Sequence, residues 1–84
     1  MSKFLDYHPS LPLMSPDAVQ AMIEQVQEGP RHNSAVSAWN IFVGITGQAW
    51  CLCEAPDIED VLLAHETVGF IQDLNNIVEV TQLV

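Results

Sequence analysis

The chain has almost no basic residues. Two Lys or Arg stand against eleven Asp or Glu in 84 residues, a formal net charge of −9. Lys3 and Arg31 cannot supply the set of phosphate contacts that a nucleic-acid surface needs, so nucleic acid is excluded as a partner class. The same deficit disfavours an anionic membrane surface. Apolar runs are short, Val61 to Ala64 being typical, against the roughly 20 residues of a membrane span. Met1 to Phe4 has neither the apolar region nor the cleavage site of a secretory signal, and the reading is cytoplasmic. Only two cysteines are present, Cys51 and Cys53. In such a compartment they read as free thiols, and without a second pair they make no zinc knuckle. Glycine is scarce too: Gly44 and Gly47 belong to a turn, and no strand runs through a glycine-rich loop into a helix as a nucleotide site requires. No serine sits in a nucleophile-elbow pattern.

What remains is a chain able to fold. Hydrophobic residues make up 49% and charged ones 15%, which excludes disorder as the main state. The length allows one small domain, residues 1–84, with a thin core. Residues 3–8 read as a strand, with Phe4, Leu5 and Tyr7 as β-type side chains and Pro9 holding His8 extended. Pro9 to Ser15 is a connector. Ser15-Pro16 starts a helix with Val19, Met22, Ile23 and Val26 on one stripe, and Gly29-Pro30 stops it. After a polar linker, Arg31 to Ser34, come a strand over 35–43, a turn at Gly44 to Gly47 and a strand over about 48–54. Asp57 caps a second helix with Ile58, Val61, Leu62 and His65 on one face, and Gly69 ends it. A last strand runs over 76–83.

The order is β-α-β-β-α-β, the split βαβ arrangement of ferredoxin-like α+β domains. It predicts a four-stranded antiparallel sheet with both helices on one face. The strands are apolar on both sides, so the open face is expected to pair with a second copy, burying about 1,200–2,000 Å² in total. No nucleic acid and no membrane are expected as partners.

Four polar residues could carry chemistry. His65 interrupts an apolar helix face, where an imidazole costs desolvation unless it is hydrogen-bonded or bound to a metal. His8 ends the first strand, flanked by Asp6 and Tyr7, which could orient it. Cys51 offers a thiolate, and Glu54 a carboxylate at a strand end. Imidazoles with a carboxylate and a thiolate suit nickel, zinc, copper or iron rather than calcium or magnesium. Each also has a plainer role: His65 satisfied by a backbone carbonyl, His8 at a loop edge, Glu54 facing solvent, and both cysteines as small buried residues. The two cysteines are expected to look to opposite sides of the sheet, which leaves open which one faces the helices. His32 reads as solvated. Trp39 and Trp50 read as core or dimer anchors.

Gln48-Ala49-Trp50-Cys51-Leu52-Cys53-Glu54-Ala55-Pro56, then Val61, His65-Glu66 and Gly69, together with Phe4 to His8, resembles a bacterial family of short ferredoxin-like domains of unknown function. That family includes a nickel-binding member. The resemblance implies a ferredoxin-like dimer with a transition-metal site, nickel among the candidates. The residues matched to its motif are His8, Cys51, Glu54 and His65. Binding of a small ligand stands beside metal binding as the same reading, and two other functions compete with it. One is a cofactor-independent enzyme, with His65 as base and Cys51 as nucleophile in a pocket between helices and sheet. The other is a non-catalytic oligomerisation module.

Overall fold

The computed structural model describes residues 1–11, 14–28, 35–70 and 72–84, without the side chains of residues 27 and 28. The expected stop at Gly29-Pro30, the linker after it and His32 lie outside the described residues. The elements are β1 (Ser2–His8), α1 (Pro16–Glu28), β2 (Ser37–Val43), β3 (Ala49–Ala55), α2 (Ile58–Thr67), a 3-10 turn (Leu74–Asn76) and β4 (Ile77–Val80). One antiparallel sheet has the order β2-β3-β1-β4. This is the ferredoxin-like α+β fold, with β1 and β3 as its central strands.

Local chemistry explains the boundaries. The Ser15 hydroxyl accepts from the Ala18 amide at 3.1 Å, and Pro16, with no amide hydrogen to leave unpaired, opens α1. The Asp57 carboxylate accepts from the Asp60 amide at 3.2 Å and caps α2. At the other end of α2, Gly69 takes φ +85°, a conformation natural to glycine. Its amide donates to the Glu66 carbonyl at 3.0 Å, and the Phe70 amide donates to the His65 carbonyl at 2.9 Å. This paired closure folds the chain back over the last turn of α2.

The core lies between the sheet and the two helices. Phe4, Cys53, Ala55 and Ile77 from the sheet meet Val26 of α1 and Val61 and Ala64 of α2. β2 needs an irregularity to contribute twice. Its pairing with β3 slips by one residue between Ser37 and Asn40, and Ala38 there adopts φ +57°. Such a left-handed alanine costs about 1–2 kcal/mol. In return the bulge resets the alternation, so that Val36 is buried in the core and Trp39 still packs against it.

Three expectations are corrected. Cys51 and Cys53 do not look to opposite sides of the sheet: both are buried, on the side that faces the helices. Residues two apart on a strand share a side, since the side-chain period is two. The last strand is shorter than 76–83: β4 spans four residues, a 3-10 turn capped by Asp73 precedes it, and residues 81–84 are exposed. β3 also runs one residue further than expected, to Ala55.

Candidate metal centre

The β1–β3 register builds the floor of the site. Phe4, Asp6 and His8 alternate onto the helix side of β1 and are all buried. Asp6 pairs with Cys51 across the two strands, and His8 pairs with Ala49. The methyl group of Ala49 leaves the larger imidazole room. α2 supplies the roof through His65, buried on its inward stripe beside Val61 and Ala64. One ligand atom from each of Asp6, His8, Cys51 and His65 lies within 4.8 Å of the other three. Four donors around a metal bonded at 2.0–2.3 Å stand about 3.3–3.8 Å apart, so a contraction of about 1 Å would close the set.

The hydrogen bonds orient the rings. His65 Nδ1 lies 2.8 Å from the Val61 carbonyl one turn back, and an acceptor there requires a hydrogen on Nδ1. That fixes Nε2 as the atom facing the group, 3.2 Å from Asp6 Oδ1. His8 Nε2 lies 2.7 Å from the same oxygen. A metal-binding histidine ordinarily donates its second ring hydrogen to just such a carbonyl. Asp6 Oδ1 is satisfied only while those two nitrogens carry hydrogens. Oδ2 is buried with no nitrogen or oxygen partner among the described residues, an acceptor that a cation would satisfy.

Electrostatics describe the metal-free state. Burial alone would push the Asp6 carboxyl up, but the bonds to His65 and His8 and their charge outweigh it and hold the group below the usual carboxylate range. Burial likewise pulls the His65 imidazole down, and the Asp6 carboxylate, with the Val61 carbonyl, more than reverses this and raises it. Asp6 and His65 therefore form a buried ion pair. Burial, reinforced by the Asp6 charge, drives the Cys51 thiol far up, and the same two causes take Cys53 to about 12. Without a metal both sulfurs are protonated at neutral pH, so Cys51 is no ready nucleophile.

Of the four residues singled out from sequence, the structure brings together His8, Cys51 and His65. Glu54 lies elsewhere. It alternates onto the open face of β3, opposite Lys3, and its carboxylate accepts from Lys3 Nζ at 2.9 Å. That contact holds its pKa below the usual value. His8 and Glu54 also sit near opposite ends of the β1–β3 pair, five residues or about 16 Å apart along the strands. Asp6 takes the carboxylate position instead. Its signal was present: it stands two residues from both Phe4 and His8, on the side that any buried reading of Phe4 turns inward.

The ion pair has a signed pH dependence in the metal-free protein. Asp6 stabilises the fold above the ordinary carboxylate value of about 3.9, and this is lost as pH falls through its lower folded value. His65 stabilises it below about 6.5, and this is lost as pH rises through its raised folded value. Urea unfolding in a chelator should therefore show stability declining above about pH 6.5. In Asp6→Asn the decline above about pH 6.5 should vanish, and stability should instead rise with pH below that value, because burial then depresses the imidazole. An unchanged decline in that variant would show that the Asp6–His65 pair is not its source.

The comparisons with known proteins came out empty: no family model, no curated protein and no solved structure matches the chain.

Proposed function

We propose that this domain binds a divalent first-row transition metal through Asp6, His8, Cys51 and His65. The observation that carries the reading is the convergence of their four ligand atoms within 4.8 Å, all from buried residues. Charge balance supports it. A carboxylate and a thiolate neutralise a divalent ion, and two neutral imidazoles complete the set, so the occupied site carries no net charge in a buried place. The donors are nitrogen, sulfur and one oxygen, which favours nickel, copper or zinc over magnesium or calcium. Nickel is the choice the family resemblance adds. The unpaired thiols suit a reducing, cytoplasmic setting.

Binding should displace protons. Below the raised His65 value about two leave per metal, one from that imidazolium and one from the Cys51 thiol, and above it about one. Affinity for Ni²⁺ should therefore fall with decreasing pH from above the ordinary imidazole value of about 6.5, not from below it. In calorimetric titrations of demetallated protein, Asp6→Asn and His65→Ala should each weaken binding by about 100-fold or more, beyond the 10–100-fold lost with a supporting contact. Glu54→Gln should change it little. Equal affinity for the native protein and His65→Ala would remove the proposal.

A second copy of the chain is the partner we infer for the open sheet face. Phe42, Trp50 and Val78 are exposed there, and Tyr7 packs on Trp50 with ring centroids 5.5 Å apart. The charges on that face include Lys3 and Glu54, which neutralise each other. A chain of charge −9 can approach its own copy only where such charge is absent or balanced. Sedimentation equilibrium should report a dimer for the native protein and a monomer for Trp50→Glu. A native monomer at all concentrations would refute the pairing.

A further inference from the structure

A cleft of about 310 Å³ opens directly over the proposed metal centre, between both helices and the sheet. Three of the four donor residues, His8, Cys51 and His65, line it. Asp6, the fourth, has no exposed side-chain surface, whereas the His8 and His65 side chains keep 9% and 6% of theirs. What little of the donor cluster is exposed therefore belongs to residues of the cleft wall. The rest of the wall is almost wholly apolar, with Val19 and Met22 of α1, Trp39 and Ile41 of β2, and Phe70 beyond α2 among its residues. An apolar cavity of about 150 Å³ holds a benzene ring, so this one has room for about two fused rings. Structural metal sites are closed by protein donors, whereas sites that act on a ligand keep a position open. A metal held by this cluster would front the cleft, and a further donor would reach it from there. The Asp6 carboxylate and the Cys51 thiolate already balance a divalent ion. An anionic further donor would leave a net charge among apolar side chains, a cost that a neutral donor avoids. Nitrogen is the neutral donor that suits nickel, copper and zinc.

We propose that the metal-loaded domain binds an apolar nitrogen heteroaromatic of about two fused rings in this cleft. The ring nitrogen gives its lone pair to the metal, and the carbon skeleton lies between α1 and the sheet. The cleft volume sets the size, the apolar wall sets the skeleton, and the charge balance at the centre sets the donor. This deepens the metal-binding reading and rests on it.

The test first titrates the demetallated protein with Ni²⁺ by calorimetry. The loaded protein is then titrated at neutral pH with isoquinoline and with naphthalene, a molecule of the same shape that lacks the donor, by calorimetry and by the visible spectrum of the nickel. The expected result is saturable binding of isoquinoline, about tenfold or more tighter than naphthalene, with a change in the nickel spectrum that naphthalene does not produce. In EDTA, without metal, that preference should disappear. Val19→Phe and Met22→Phe, which fill the wall away from the metal ligands, should each weaken isoquinoline binding about tenfold or more while leaving Ni²⁺ affinity unchanged. Uptake of Ni²⁺ without saturable isoquinoline binding, or with equal affinity for the two compounds, would overturn this proposal and leave metal binding standing. Isoquinoline binding undiminished in both wall variants would place it outside the cleft and overturn the proposal as well. Absence of Ni²⁺ uptake in the first titration would overturn the metal reading and this proposal with it.

Discussion

The structure depends on one buried carboxylate. Asp6 sits fully buried in a central strand, where a lone negative charge would be intolerable. It is tolerated because two imidazoles converge on it, one from the same strand and one from α2. Each of these contacts needs a different part of the fold. The pairing of β1 with β3 adds Cys51, and the packing of α2 on the sheet brings in His65. The polar cluster is thus also a check on assembly, since a slip of one residue in β1 would turn Asp6 and His8 onto the open face.

The same arrangement accounts for the chemistry. In the metal-free state the Asp6 carboxylate is balanced by the His65 imidazolium, and the Cys51 thiol is protonated. Exchange of two protons for a divalent cation keeps that balance, so the burial that would forbid an isolated ion does not oppose the exchange. The Val61 carbonyl holds the His65 ring in place and would do so with a cation bound, because its bond is to the nitrogen that does not face the group. The Gly69–Phe70 closure stabilises the turn of α2 that carries this histidine, and Phe70 lies against the His8 ring at a centroid distance of 6.0 Å.

Much of this was legible in the sequence. Ser15-Pro16, Asp57 and Gly69 are local signals with local causes, and the helices begin and end by them where the structure describes those ends. The order of elements then fixes β1 and β3 as central neighbours, and His65 on an apolar stripe points inward on helical period alone. Four features were less legible. Asp6 reads in sequence as a neighbour orienting His8, although the two-residue period joins it to Phe4. Glu54 stands out by its place in the motif, although that period puts it with Trp50 and Leu52 on the other side from Cys51. The bulge at Ala38 has no glycine or proline to mark it, since its cause is tertiary: it lets both Val36 and Trp39 face the core. The end of β4 is equally silent, because Leu83 and Val84 look like strand residues but are left exposed.

The most direct test of the account is X-ray absorption at the nickel edge of the Ni²⁺-loaded protein. The account predicts one sulfur scatterer near 2.2–2.3 Å and the multiple-scattering signature of two imidazoles, with the sulfur lost in Cys51→Ser and one imidazole lost in His8→Ala. A nickel environment of oxygen alone, unchanged by either substitution, would put the ion on surface carboxylates and contradict the central claim.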